Sequence, residues 1–263
     1  MTVPMQLRLF WRSAFIQALW SFENMQGLGF GFTVEPWLRE RWRNAPEEGR
    51  RALARHCEHF NTQPYMAGFA AGMACAMEEQ LAASSRDARP GLEGRLRALK
   101  SGAAGALAGI GDSFFWGAWR PFCTALALAA GLACVVFGAR PGTVILGAAG
   151  CYLLAYAVPV LALRWLGIGL GYRWGELFAQ ELSRVRWQRS IRVVRVAGLG
   201  LALGCAGVGI FSIMSSVSLS RGAVVAAALA GGWAARSYGL TSRRLYAAVW
   251  LSGTLAAMAG LRW

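Results

Sequence analysis

Eight polar or charged side chains stand in or beside apolar stretches of this chain: Glu23, Asn24, Gln26, Asn61, Gln63, Glu78, Asp112 and Arg120. In hydrocarbon each is expensive. A charge at mid-bilayer costs on the order of 3 kcal/mol on insertion scales, so every such group needs a partner or a water-filled cavity. Amides donate and accept, carboxylates accept, and both match vicinal hydroxyls, while Trp116 offers a flat apolar face. The set therefore suits the path of a sugar ring or its walls. The same residues can equally pair with one another and close a helix bundle.

Chemistry on the chain itself is harder to find. There are two histidines, His56 and His59, and no serine in a GxSxG elbow, so acyl transfer has no apparatus. The histidines sit at i and i+3 around Cys57 and Glu58 with no third ligand at metal-binding spacing, which favours partly exposed helix residues over a zinc site. GLGFGF and GIGLGY carry two glycines of a dinucleotide fingerprint but not the third, and LKSG lacks the glycine that precedes the lysine of a phosphate loop. The chain is thus expected to be non-catalytic alone, with no cofactor and no metal. Phosphoryl chemistry, if involved, happens on a partner.

The elements that must hold these residues follow from composition. Of 263 residues, 56% are hydrophobic and 15% charged, with 33 glycines and 12 tryptophans. Mean hydropathy is +0.39. Several stretches approach or exceed the roughly 18 apolar residues of a spanning helix, which marks an integral membrane protein. The net charge of +14 lies in loops between apolar segments, as expected of basic residues retained on the cytoplasmic side and not of a nucleic-acid binder. Met1 to Arg12 has no short apolar run with a cleavage site, so no signal peptide is expected. The six cysteines form no CxxC pair and read as small buried residues.

Residues 1–34 read as an apolar helix with a polar stripe, Ser13, Gln17, Ser21 and Asn24, opposite Phe15, Ala18, Leu19 and Phe22. The stripe turns toward protein, water or ligand, or the helix lies in the membrane interface. Residues 35–63 are charged, basic and mostly helical on the solvent side. Residues 64–80 form a helix too short to span comfortably, either tilted in the membrane or buried between others. After a polar connection, residues 101–138 are apolar except at Asp112, Arg120 and Pro121. The glycines before Asp112 and the proline after Arg120 suggest two half-segments meeting at a bend, with Asp112 capping the second. Residues 143–163 are a clean span, and Arg164 to Arg195 a basic loop or interfacial helix on the cytoplasmic side. Further segments are expected near 196–219, 222–235 and 245–261. The turn at 236–244 would then be inside and the C-terminus outside.

Glycines four apart recur at Gly27 and Gly31, Gly68 and Gly72, Gly105 and Gly109, and Gly167, Gly171 and Gly175. Such pairs make flat helix faces for close packing in lipid.

Four stretches together resemble the enzyme IID membrane subunit of mannose-family (mannose/fructose/sorbose) sugar phosphotransferase systems: SAFIQALWSFENMQGLGFGF (13–32), RHCEHFNTQPYMAGFAAGMACAMEEQ (55–80), LKSGAAGALAGIGDSFFWGAWRP (99–121) and RWLGIGLGYRWG (164–175). They correspond to the family's Asn/Glu segment before MQ-x-LG, to HLEFFNT-x-P with a following EE, and to GPLAGIGD-x-x-FWG-x-x-RP, in that order. The resemblance covers about the first two thirds of the chain. It implies an all-α polytopic membrane protein, one IID-like domain over 1–263, with 64–190 as the motif-bearing core and 191–263 as C-terminal membrane helices. It also implies a separate enzyme IIC partner, a higher oligomer of IIC–IID units, and cytoplasmic IIA and IIB components that phosphorylate the incoming hexose or amino sugar. The expected place is the bacterial cytoplasmic (inner) membrane, crossed several times.

Two departures stand out. GAAGALAGIG lacks the proline of GLMGPLAGIG, and SSVSLSRG stands where many members carry a longer polar insertion. The second leaves room for a transport-inactive structural or regulatory subunit. The residues expected to form or support the sugar path are Glu23, Asn24, Gln26, Asn61, Gln63, Asp112, Trp116 and Arg120.

Overall fold

The computed structural model describes residues 1–216, with side chains through residue 212. The segments expected near 222–235 and 245–261 and the turn at 236–244 lie outside the described residues. Packing divides the chain into two compact units, Met1–Leu203 and Gly204–Trp263. Among the described residues every regular element is helical, apart from two isolated bridges, Ser21 with Met25 and Met25 with Phe60. The elements are α1 (Val3–Ser13), α2 (Gly27–Arg41), α3 (Pro46–Cys57), α4 (Ala67–Ala83), α5 (Arg89–Gly111), a π-helical stretch Asp112–Trp119, α6 (Arg120–Val136), α7 (Pro141–Trp174), a single 3-10 turn Gly175–Leu177, α8 (Phe178–Arg184) and α9 (Trp187–Ser216).

Prolines open five helices near their first position, where the missing N–H costs nothing: Pro4, Pro46, Pro90, Pro121 and Pro141. Glycines at positive φ follow two of the ends: Gly138 (φ 69°) just past α6 and Gly175 (φ 47°) at the end of α7. Among the described residues, three continuous helical stretches are long and apolar enough to cross a bilayer, Arg89–Val136, Pro141–Arg184 and Trp187–Ser212.

The core forms where α4 lies against α7, with α1, α2 and α5 around it. Here α4 takes the second course open to it from its sequence. It is buried between other helices, with Phe69, Met73, Met77 and Leu81 at 1% exposure or less. Small residues make the approach possible. A Cβ on Gly72 would run into the carbonyl of Ile168, one on Gly68 into that of Arg164, and one on Gly171 into that of Phe69, so the two backbones touch along this seam. Gly167 receives the Phe69 ring. Gly27 and Gly31 press against the C-terminal end of α3, whereas Gly105 and Gly109 meet no atom of the described chain within 4 Å.

Three sequence-based expectations are corrected. The striped helix over 1–34 is broken: α1 stops at Ser13, residues 14–26 form turns, and α2 begins at Gly27. Met25, at φ 51°, takes the left-handed conformation that no helix interior accommodates, and Gly29 abuts the backbone of Ile16, folding the turns back on α2. Second, no break in the helix separates two half-segments at Asp112. The helix runs through from Arg89 to Val136, and a π-helical stretch absorbs the irregularity, so Asp112 makes no side-chain cap. Third, Arg164 begins no loop: α7 continues to Trp174 and buries Arg164 to 6% exposure.

Candidate functional site

Two short irregular segments, 21–27 and 58–66, run side by side and carry most of the polar residues singled out from the sequence. Backbone bonds stitch them: the Gln26 N–H donates to the Phe60 carbonyl at 2.8 Å, and the Phe60 N–H to the Asn24 carbonyl at 3.3 Å. The Gln26 side chain reinforces the seam, its Nε2 donating to the Thr62 carbonyl at 2.8 Å and its Oε1 accepting the Thr62 N–H at 3.1 Å. One amide thus closes both free backbone groups of a buried residue, as a strand neighbour would. Thr62 Oγ1 donates onward to the Ala104 carbonyl of α5 at 3.0 Å.

Gln63 stands at the junction. Its Oε1 accepts the N–H of Tyr65 at 2.7 Å and of Met66 at 3.3 Å, closing the open donors where α4 begins. Its Nε2, on a side chain 1% exposed, has no partner among the described residues. Gly111 lies against the Gln63 stem, so this amide sits directly beside the start of the π-helical stretch. From there an aromatic group extends: Tyr65 meets Phe115 at 5.0 Å, Tyr156 at 6.1 Å and Trp116 at 6.5 Å between ring centroids. The hydroxyl of Tyr156 donates to that of Tyr65 at 3.3 Å. The Arg120 guanidinium lies over Trp116 at 5.4 Å.

Of the expected residues, Gln26 and Gln63 are buried and structural at one end, Asn24 is half-buried, and Asn61, Asp112, Trp116 and Arg120 are exposed. Glu23 is exposed on the turn beyond Asn24. Asp112 and Arg120, despite their spacing, form no ion pair with each other or with any other described residue, which leaves both side chains open at the surface.

Glu78 has a different role. At 0% exposure it accepts from Arg55 Nε (2.8 Å) and Nη2 (3.2 Å), His56 Nε2 (2.9 Å) and Trp42 Nε1 (3.1 Å). Burial alone would raise its pKa, but the hydrogen bonds from His56 and Arg55 and their charges hold it down to about 2. Burial shifts His56 below its ordinary value, and Glu78 only partly opposes this. For Arg55, burial is outweighed by Glu78 and Glu93, which hold its pKa above the ordinary value. Lys100 Nζ then donates to the carbonyls of Arg55 (3.0 Å) and His56 (3.1 Å), closing the end of α3. This network locks α2, α3, α4 and α5 together behind the 58–66 segment. With four donors on its two oxygens, the Glu78 carboxylate is saturated and unavailable to a ligand.

Several residues escaped sequence reasoning. Thr62 and Tyr65 flank chosen residues but carried no charge to mark them, and Tyr156 lies in an unbroken apolar span. Arg164 is visible as a charge, but at the start of the expected basic loop or interfacial helix and not inside a core helix. It donates to the carbonyl of Ser13 and, at 3.1 Å, to its Oγ, and lies 5.9 Å from the Tyr65 ring.

The fold defines a polytopic helical membrane protein in which a polar seam is set against aromatic rings. The model for the PTS system mannose/fructose/sorbose family IID component matches residues 2–226, and the chain belongs to that family. It is 36% identical over 191 residues to the mannose-specific EIID component of Escherichia coli K12, an alignment covering 73% of this chain and 62% of the relative. The fructose permease IID component of Bacillus subtilis is 30% identical over 192 residues, covering 73% and 64%. The sorbose-specific EIID component of Klebsiella pneumoniae is 31% identical over 191 residues, with the same coverage. The chain thus spans less than two thirds of the length of these relatives. Among solved structures, the mannose transporter ManYZ in complex with microcin E492 aligns with a TM-score of 0.56 and 26% identity, over 99% of this chain and 98% of that one. A second, described as a membrane protein, aligns with a TM-score of 0.67 and 25% identity over the same shares.

Proposed function

We propose that the chain works with a separate enzyme IIC subunit to bind and translocate a hexose or amino sugar, which cytoplasmic IIA and IIB components phosphorylate on arrival. The unit sits in the bacterial cytoplasmic membrane as part of a higher IIC–IID oligomer, and the chain performs no chemistry alone. The observation that carries the reading is the convergence of three distant segments on one polar edge. The segment carrying Asn24 and Gln26 is bonded to the one carrying Asn61 and Gln63, Gly111 beside Asp112 lies against the Gln63 stem, and the Gln63 Nε2 has no partner among the described residues, with Trp116 and Arg120 further along the same helix. A buried amide donor without an acceptor is costly and is relieved by a hydroxyl.

The supporting frame divides the roles. Gln26, Thr62 and the Glu78 network position the 58–66 segment, while Asn61 and Asp112 have their side chains exposed where an IIC subunit and its sugar would approach. Glu23 and Arg120 would contribute at the rim.

The test is labelled-sugar uptake and phosphorylation in vesicles carrying this chain, a IIC partner and the phosphorylated cytoplasmic components. Asn61→Ala or Asp112→Ala is expected to lower uptake with the complex still assembled. Unchanged uptake removes that residue from the path. Assembly without any uptake by the wild-type chain across a panel of sugars would favour the transport-inactive reading.

A further inference from the structure

The N-terminal helix α1 has two unlike faces. Met5, Leu9 and Ser13, one turn apart, are buried against the core at 4%, 0% and 0% exposure. Val3, Leu7 and Trp11, also one turn apart and two positions out of phase, lie on the opposite side, and Phe15 and Leu19 follow in the turns; all five are exposed. The apolar stripe is therefore not used by the described chain. Arg8 and Arg12 stand beside it, one position on from Leu7 and Trp11, and face α2.

Between α1 and α2 lies an open cavity of about 450 Å³ lined by Arg8, Trp11, Arg12, Glu35, Pro36 and Arg39. Its charge is unbalanced. Glu35 bonds Arg12 at 3.0 Å and Arg39 at 2.5 Å, and Arg8 has no carboxylate within ion-pair distance among the described residues. Three guanidinium groups thus share one carboxylate. The Arg12 side chain is held in place, its Nε donating to the Phe32 carbonyl at 2.6 Å and its guanidinium lying 3.7 Å from the Phe32 ring centroid.

The height of α1 fits a membrane surface. Gln6 Nε2 donates to the Trp165 carbonyl of α7 at 3.0 Å, and Phe10 meets the Trp165 ring edge-on at 5.7 Å. That is where the apolar run of α7 gives way to Arg164, Trp165, Tyr172, Arg173 and Trp174, the mixture of aromatic and basic residues found at headgroup level.

We infer that α1 lies in the membrane interface and that the Arg8–Arg12–Arg39 cavity holds the phosphate-bearing headgroup of an anionic phospholipid, whose chains run along Val3, Leu7 and Trp11. An exposed apolar stripe continuous with an unneutralised basic cavity complements one ligand class, an anionic amphiphile. The inference extends beyond sugar transport and rests only on the chain being a membrane protein.

The experiment uses the full chain, delipidated in neutral detergent, with phosphatidylglycerol or phosphatidylcholine added and bound lipid counted by native mass spectrometry. Wild type is expected to retain phosphatidylglycerol in preference. Arg8→Gln and Arg39→Gln should each weaken retention about fivefold, with the helical melting curve unchanged. Arg86→Gln, which removes an equal charge from an exposed site elsewhere, should not. Equal retention of the two lipids, an equal loss with Arg86→Gln, or displacement of the lipid by millimolar inorganic phosphate or by polyglutamate would each overturn the headgroup site.

Discussion

The guanidinium of Arg55 grips both carboxylate oxygens of Glu78, at 2.8 and 3.2 Å, and neither side chain is more than 5% exposed. Because the pair is completed by His56 and Trp42, one carboxylate joins α3, α4 and the end of α2. Removing the Glu78 charge leaves the buried Arg55 with Glu93, at 3.1 Å, as its remaining ion-pair partner and takes the acceptor from His56 and Trp42. Glu78→Gln is expected to cost about 3–5 kcal/mol, read as a lower denaturant midpoint of the purified chain in detergent. An apolar replacement of both, Arg55→Met with Glu78→Leu, should recover much of the loss. A single variant with wild-type stability would contradict the role of the pair.

The same network sets the sign of a pH dependence. The folded Glu78 pKa of about 2 is below its ordinary value of 4.5, so the unfolded chain takes up this proton first. Its stabilisation is complete above pH 4.5 and is lost as pH falls toward 2. His56 is also shifted down, from 6.5, so protonation again favours unfolding, beginning at higher pH. Melting temperature should therefore fall from about pH 6.5 downward. Glu78→Gln should flatten the more acidic part of that curve, and a parallel slope in the variant would argue against the assignment.

The seam between α4 and α7 depends on having no side chain at Gly72 and Gly171, where an added Cβ meets backbone and not a movable side chain. Alanine at either position is expected to destabilise by about 1–3 kcal/mol or more, as overpacking does. Alanine at Gly105, which faces open space within the chain, should leave the isolated subunit unchanged. Thermal unfolding of the three variants makes the comparison. If Gly105→Ala spares stability but weakens association with IIC, that face is the partner contact.

Gln26 and Asn61 lie close in the fold but should fail differently. Gln26→Ala opens both hydrogen bonds to Thr62 and should lower stability by about 1–3 kcal/mol along with uptake. Asn61→Ala touches an exposed side chain, so melting should hold while uptake falls about tenfold, the worth of one hydrogen bond. Parallel loss of stability and uptake in both variants would make Asn61 structural as well.

Much of this was legible in the chain. The long apolar stretches demanded helices, and the polar residues at 23–26, 61–63, 112 and 120 marked segments that the fold brings near one another. The resemblance to the IID family rested on the same motifs. What failed were continuities. The polar stripe at Ser13, Gln17, Ser21 and Asn24 has helical spacing, yet Met25 and the contact of Gly29 with Ile16 turn the backbone instead. Asp112 with flanking glycine and proline looked like a break, but a widened helical turn absorbs it.

The sequence by itself determined the membrane helices and the set of expensive polar groups, because hydrophobicity and desolvation act residue by residue. Only the tertiary structure decided which of those groups satisfy one another. Glu78 is consumed by Arg55, His56 and Trp42, Gln26 by Thr62, and Gln63 is left with an open donor among the described residues. Hydrogen bonding is short-ranged and directional, so partners 22 to 36 residues apart in the chain are chosen by packing.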